Sequence, residues 1–119
     1  MRDNFDQLKT RTQKFALSII EFTKKMGNDQ ASKVLSNQLL RAGTSVGANY
    51  RAACRARSKA EFISKITIVE EEADECGYWL ELIDMAKLMN HEMIVSLKKE
   101  ASELTAIFTA SGKTAKDNR

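Results

Sequence analysis

Apolar residues recur at intervals of three and four positions in four separate stretches of the chain. This spacing is the period of one face of an α-helix and differs from the strict alternation of a half-buried β-strand. The pattern therefore predicts four amphipathic helices. Their apolar stripes are Phe5, Leu8, Thr12, Phe15, Ile19, Phe22 and Met26; Leu35, Leu39, Ala42, Val46, Asn49 and Ala53; Phe62, Ile66, Val69, Ala73, Cys76, Leu80 and Ile83; and Ile94, Leu97, Ala101, Leu104 and Phe108.

The breaks between these stripes carry residues that end one helix and begin the next. The run Gly27-Asn28-Asp29 supplies a glycine that stops one helix and an Asx residue that caps the next, and Asn90 supplies a second cap. The segment from Ser58 to Glu61 has the Ser-x-x-Glu form of a capping box. Together, the stripes and these signals predict helices over about 4–26, 29–57, 59–89 and 91–110.

Four helices with short connections predict an all-α fold in which neighbouring helices run antiparallel. The economical arrangement is an up-down-up-down four-helix bundle that spans residues 1–110 as one domain. A three-helix module of the helix-turn-helix type, with shorter helices and steeper crossings, is the alternative. Residues 111–119 are polar, and we expect them to form a disordered tail.

The composition excludes several other classes of protein. The absence of proline and the presence of only 5 glycines in 119 residues disfavour turn-rich β-sandwiches and barrels. No apolar stretch is long enough to cross a membrane, and the first residues lack the apolar region of a signal peptide. Cys54 and Cys76 are too far apart for a Cys-x-x-Cys motif, which suits reduced thiols. We therefore expect a cytoplasmic protein that makes no membrane contact.

Patterns typical of catalysis or metal binding are sparse. The one histidine, His91, has Leu88 three positions before it, whereas a di-iron site in a helical bundle needs Glu-x-x-His pairs. The Cys-x-x-Cys-His pattern of haem attachment and a glycine-rich phosphate loop are also absent from the sequence. The sequence thus predicts no enzyme, no metal and no cofactor, and it indicates no small-molecule substrate.

Two carboxylates interrupt an otherwise apolar side of the third helix. Glu72 and Glu75 lie among apolar positions there, and a buried carboxylate must be paired or protonated. Arg41 is level with both if the second and third helices fold back on each other, and Gln38 and Asn49 can fill the remaining hydrogen bonds. We predict a buried polar network that sets the helix register, so that Arg41→Ala costs several kcal/mol. A catalytic carboxylate pair and a contact to a ligand or partner are the alternatives.

Basic residues gather where the second helix ends and the third begins. They are Arg51, Arg55, Arg57, Lys59 and Lys65, which we call the basic tip. Lysine and arginine on one edge can neutralise phosphates without reading a base sequence, so the basic tip is a candidate nucleic-acid site. A solvated charged surface is the alternative.

Some apolar residues of the third helix lie off its main stripe. Tyr78, Trp79, Leu82 and Met85 make this helix apolar on more than one side, and such a helix needs more than one partner surface. We therefore predict an oligomer or partner surface at these four residues.

Two glycines occur one turn apart in the second helix, at Gly43 and Gly47. Glycine inside a helix costs about 1 kcal/mol relative to alanine, so a compensating contact is expected. Close helix packing inside the bundle is the favoured explanation, and a contact between subunits is the alternative.

Three segments together resemble a known family of bacterial four-helix-bundle proteins, the 23S rRNA intervening-sequence proteins. They are residues 38–50 (QLLRAGTSVGANY), 58–65 (SKAEFISK) and 72–80 (EADECGYWL). The resemblance covers nearly the whole chain, from about Phe5 to Phe108. Many members have Asn-Ile-Ala-Glu-Gly where this chain has Asn49-Tyr-Arg-Ala-Ala, so the chain is similar to the branch with the Tyr-Trp-Leu signature.

The resemblance implies a left-handed up-down bundle that assembles into a ring-shaped homo-oligomer, with a pentamer as the first expectation. It implies no known reaction. Related accessory proteins of diversity-generating retroelements share the fold and bind nucleic acid and a reverse transcriptase. The leading hypothesis is therefore a non-enzymatic, oligomeric bundle that binds RNA, DNA or a ribonucleoprotein through the basic tip. The alternative is a protein–protein interaction scaffold with no nucleic-acid ligand.

Overall fold

Four α-helices account for most of the chain, as the apolar stripes predict. The computed structural model describes the backbone of residues 2–118 and the side chains of residues 5–118. The molecule is 48 Å long and 21 Å wide, and no β-strand occurs within residues 2–118. The predicted all-α four-helix bundle is thus confirmed. The helices are α1 (Arg2–Lys24), α2 (Gln30–Cys54), α3 (Lys59–Met85) and α4 (His91–Asp117).

Side-chain contacts show that consecutive helices run in opposite directions. The ammonium group of Lys59, at the start of α3, donates a hydrogen bond of 2.7 Å to the carbonyl oxygen of Asn118, just after α4. Near the opposite end of the same pair, Lys98 of α4 lies 3.9 Å from Glu81 of α3.

In the first pair, position 43 of α2 faces Ile19 and position 47 faces Thr12, so α1 and α2 also run in opposite directions. Arg41 of α2 meets Glu72 of α3, as a short connection between antiparallel helices requires. The start of α1, the end of α2, the start of α3 and the end of α4 therefore share one end of the molecule, which we call the proximal end.

The helix starts follow the capping signals in the sequence. The side chain of Asp29 accepts a hydrogen bond from the backbone N–H of Ser32, and Ser58 accepts one from that of Glu61. The side chain of Asn90 likewise accepts from the N–H of Glu92. Each cap satisfies a backbone donor that the first helical turn leaves without a partner.

The end of α3 comes earlier than the prediction, at Met85. Lys87 adopts a left-handed conformation with φ of 57°. Its N–H bonds to the carbonyl of Asp84, and the N–H of Leu88 bonds to that of Ile83. This pair of hydrogen bonds is the Schellman motif that closes a helix, here without the usual glycine.

The predicted disordered tail is wrong for residues 111–117, because α4 continues to Asp117. Gly112 is buried where α4 passes α3, and a Cβ atom placed on it would lie 3.5 Å from Ile66. Lys59 donates a hydrogen bond to the carbonyl oxygen of Asn118, the residue after the end of α4. The stripe of large apolar residues stops at Phe108, so the sequence pattern gave no sign of this last contact.

The core is formed mostly by residues of the four predicted stripes, but in α2 the buried residue is Tyr50 and not its predicted neighbour Asn49. Phe15, Leu39, Ile83 and Phe108 are among its large buried side chains. Helix α1 packs more extensively against α2 than against α4. A seam between α1 and α4 is therefore the most open part of the bundle.

Candidate nucleic-acid interface

Two arginines of the basic tip line a small cleft between α1 and α2. The cleft has a volume of about 220 Å³ and is lined by Lys9 and Gln13 of α1 and by Gly47, Arg51 and Arg55 of α2. Arg51 and Arg55 lie one helical turn apart and are exposed, whereas Lys9 is half-buried. We call this arrangement the basic cleft. It places three positive groups from two helices around one opening.

The three cations of the basic cleft have no acidic partner in the described part of the chain. The ion pairs found among residues 5–118 involve other basic residues. Lys9, Arg51 and Arg55 therefore present uncompensated positive charge to solvent. Such a group attracts anions, and guanidinium groups suit the oxygens of a phosphate in particular.

The other residues of the basic tip are arranged differently. Arg57 and Lys59 are exposed beside the α2–α3 connection, and Lys59 reaches to the end of α4. Lys65 is half-buried further along α3. The predicted single edge is thus divided, with only Arg51 and Arg55 in the basic cleft.

Sequence reasoning missed the contribution of α1 to this site. Lys9 and Gln13 are four positions apart and flank the core position Thr12. Thr12 meets Gly47 in the structure, where a Cβ atom on the glycine would lie 3.2 Å from the threonine hydroxyl oxygen. The polar pair was visible in the sequence, but the register of α1 against α2 was needed to place it beside Arg51.

The predicted pairing of Arg41 with the two carboxylates is present. The Nη1 atom of Arg41 lies 3.1 Å from an oxygen of Glu72, and its Nη2 atom bonds to Glu75. The Nε atom donates to Gln38 at 3.4 Å, and the indole N–H of Trp79 donates to Glu75 at 3.0 Å. Burial alone would lower the pKa of Arg41, but the nearby carboxylates raise it above its usual value.

The prediction that this network is buried is wrong. The Arg41 side chain is 50% exposed, with Glu72 and Glu75 at 15% and 34%. Asn49 does not join the network, because its amide donates to the carbonyl of Ser45 one turn earlier. The cluster lies in the surface groove between α2 and α3, where water can solvate the guanidinium.

Arg41→Ala should therefore lower the free energy of unfolding by about 1 kcal/mol or less, instead of the several kcal/mol that a buried network implies. Solvent screens an exposed ion pair, so its loss costs little. Urea unfolding followed by circular dichroism measures the change, with the exposed residue Lys14→Ala as a control. A loss of about 3 kcal/mol would contradict this and indicate that the carboxylates are desolvated.

The buried Cys76 offers no reactive thiolate. Burial, reinforced by the nearby Glu72 and Glu75 carboxylates, raises the pKa of Cys76 to about 12. The Cys76 thiol is therefore protonated at neutral pH and is a poor nucleophile. Among the described residues, no three histidine, cysteine or acidic side chains are grouped so as to hold a metal ion. No described helix is both long and apolar enough to cross a bilayer.

The four residues predicted as an oligomer or partner surface are divided between surface and core. Tyr78 and Met85 are 58% and 71% exposed and lie two turns apart on the outer face of α3. Trp79 and Leu82 are half-buried and pack against the core. Only Tyr78 and Met85 therefore remain as an exposed apolar pair.

Comparisons with known proteins agree on one group. Residues 7–110 match a protein family described as 23S rRNA-intervening sequence protein. Among solved structures, the chain is similar to a protein of unknown function from the S23 ribosomal protein family of Bacteroides thetaiotaomicron, with 37% identity and a TM-score of 0.84. That alignment covers 95% of this chain and 99% of the other. No curated protein matches the chain.

Proposed function

The chain belongs to the 23S rRNA-intervening sequence protein family, and on this premise we propose that it is a non-enzymatic bundle protein that binds the phosphate backbone of RNA or DNA through the basic cleft. The observation that carries the proposal is the convergence of Lys9, Arg51 and Arg55 on one opening without an acidic partner among residues 5–118. Exposed arginines bind phosphate oxygens through paired N–H groups.

Binding of this kind follows charge and is largely independent of base sequence. Each phosphate neutralised by lysine or arginine releases condensed counterions, so affinity falls as salt rises. The basic cleft adds no exposed aromatic side chain on which bases could stack. The proposal is thus for contact with the backbone, with weak preference among base sequences.

A salt titration tests this proposal. Fluorescence anisotropy of a labelled single-stranded RNA of mixed sequence should show affinity that falls with salt, by a log–log slope of about 0.7 for each phosphate contact. Lys9→Ala should reduce that slope by about 0.7, because it removes one contact. Lys14→Ala, on the exposed side of the same helix, should leave the slope unchanged. An affinity that does not respond to salt would rule out phosphate binding by this cleft.

We further propose that the protein forms a homo-oligomer, with a pentameric ring as the first arrangement to test. The exposed apolar pair Tyr78 and Met85 supports a contact on the outer face of α3. The alternative function, a protein-interaction scaffold without nucleic acid, would use the same pair. Sedimentation velocity of the purified chain measures its assembly state. Partner binding that resists salt would favour the scaffold, since apolar contacts are little screened.

A further inference from the structure

A second and larger cavity opens at the proximal end, in the seam between α1 and α4. Its volume is about 670 Å³, within the range of small-molecule sites. We call it the end cavity. Its apolar lining includes Phe5, Leu8, Phe62, Ile66 and Ile107. Nothing in the proposed binding of nucleic acid uses this space.

Among the side chains of residues 5–118, none offers a free charge to a ligand in the end cavity. The one charged residue of this part of the chain in its lining is Arg11, whose guanidinium forms hydrogen bonds of 2.8 and 2.7 Å with the two oxygens of Glu100 and a third, of 3.0 Å, with Glu103. These contacts, led by the hydrogen bond to Glu100, raise the pKa of Arg11. The remaining polar groups, such as Ser111 and Thr114, are neutral. The lining therefore suits a neutral molecule, because a charged one would lose its hydration without gaining an opposite charge.

One polar group in the wall lacks a partner. Tyr50 lines the cavity and is 2% exposed, with its ring 5.2 Å from that of Phe108. Its hydroxyl is buried and has no hydrogen-bond partner among the described residues. Burial raises the pKa of this phenol most, and the interaction of its hydroxyl with the adjacent Cys54 side chain raises it further, so the phenol is a neutral donor at physiological pH. A buried hydroxyl without a partner is uncommon and costs about 1–3 kcal/mol.

We propose that the end cavity binds a small neutral molecule with an apolar body and a carbonyl-type acceptor, which takes a hydrogen bond from the Tyr50 hydroxyl. The volume limits the size of the ligand, the apolar lining selects its body, and the unpartnered hydroxyl selects its polar group. The hydroxyl is covered in this structure, so binding involves a rotamer change in the wall, which is common when complexes form.

Two probes of nearly the same shape separate the parts of this proposal. Acetophenone carries a carbonyl oxygen where α-methylstyrene carries a CH₂ group. We expect acetophenone to shift the amide NMR signals of cavity residues such as Leu8 and Ser111 in a saturable way, and α-methylstyrene to bind more weakly. Tyr50→Phe should reduce the affinity for acetophenone about fivefold, because it removes one neutral hydrogen bond. It should leave the binding of α-methylstyrene unchanged, and it should raise the free energy of unfolding if it changes it at all, because it removes a buried hydroxyl without a partner.

A cavity-filling variant provides the control for location. Ala115→Leu places a larger side chain in the cavity lining and should weaken the binding of both probes. Ala106→Leu, on the other side of α4, should leave the binding of both unchanged. NMR shifts that do not saturate with probe concentration, or that persist in the Ala115→Leu variant, would contradict binding in the end cavity. Equal binding of both probes, unaffected by Tyr50→Phe, would overturn the role of the hydroxyl. Cavity signals that change with protein concentration alone would show a second copy of the chain there and overturn the proposal. RNA binding is read separately, so neither result depends on the other.

Discussion

Replacing Arg51 and Arg55 together by glutamate should reduce RNA affinity about a hundredfold or more at low salt and leave the helical content unchanged. The two arginines form one side of the basic cleft, so the variant loses two cations and places two anions against the phosphates. Both side chains are exposed and have no ion-pair partner within the described chain, so their loss should not disturb the fold. Anisotropy titrations and circular dichroism measure the two effects.

The matched control changes net charge equally at the other end of the bundle. Lys25 and Lys33 are exposed basic residues that lie away from the proximal end. Lys25→Glu with Lys33→Glu alters the total charge by the same amount as the arginine variant. We expect this control to weaken RNA binding only slightly, through long-range repulsion that salt screens. Equal losses in the two double variants would show that net charge, and not the basic cleft, governs binding.

Gly43→Val should be among the most damaging single changes to the fold, with a loss of about 3 kcal/mol in the free energy of unfolding. A Cβ atom at position 43 would lie 3.0 Å from both γ carbons of Ile19 and 3.2 Å from its β carbon. Ile19 is fully buried and branched at that point, so it cannot turn away. The gain in helix propensity over glycine is smaller than this steric cost.

Two comparisons check the cause of that loss. Gly77→Ala in α3 meets nothing within 4 Å and should stabilise the protein by about 0.5–1 kcal/mol, through helix propensity alone. Ile19→Ala removes the γ carbons and should make Gly43→Val less costly, so that the double variant loses at least about 1 kcal/mol less than the sum of the single ones. Urea unfolding measures the free energy of unfolding of these four variants and of the parent chain. If Gly43→Val is as stable as the parent chain, α1 does not pack on α2 as closely as the structure has it.

The features that the sequence predicts correctly rest on local chemistry. The apolar stripes identified the four helices, and an Asx residue at 28–29, Ser58 and Asn90 marked where three of them begin, because a cap acts within one turn. The motifs in residues 38–80 identified the family, which the match over residues 7–110 confirms. The pairing of Arg41 with Glu72 and Glu75 followed from counting along two antiparallel helices with a short connection.

The features that the sequence predicts wrongly depend on what surrounds a residue in the folded protein. Glu72 and Glu75 lie beside apolar positions in the sequence. In the groove between α2 and α3, however, the Arg41 side chain that pairs with them is 50% exposed. The last turns of α4 carry few large apolar residues, yet Gly112 is buried against α3 and Lys59 donates a hydrogen bond to the carbonyl of Asn118. The degree of burial is a property of the packed helices, so periodicity along one helix cannot supply it.

The sequence by itself determined that this protein is a four-helix bundle of a named family, since helix period, capping and motif spacing are all encoded within short segments. Only the tertiary structure decided which charged and polar groups meet. Lys9 joins Arg51 and Arg55 because Gly47 lets α1 approach α2 at Thr12. Tyr50 lines a cavity because α1 and α4 stand apart at the proximal end. Both sites depend on the separation and register of helices distant in sequence, which side-chain packing sets across the whole bundle.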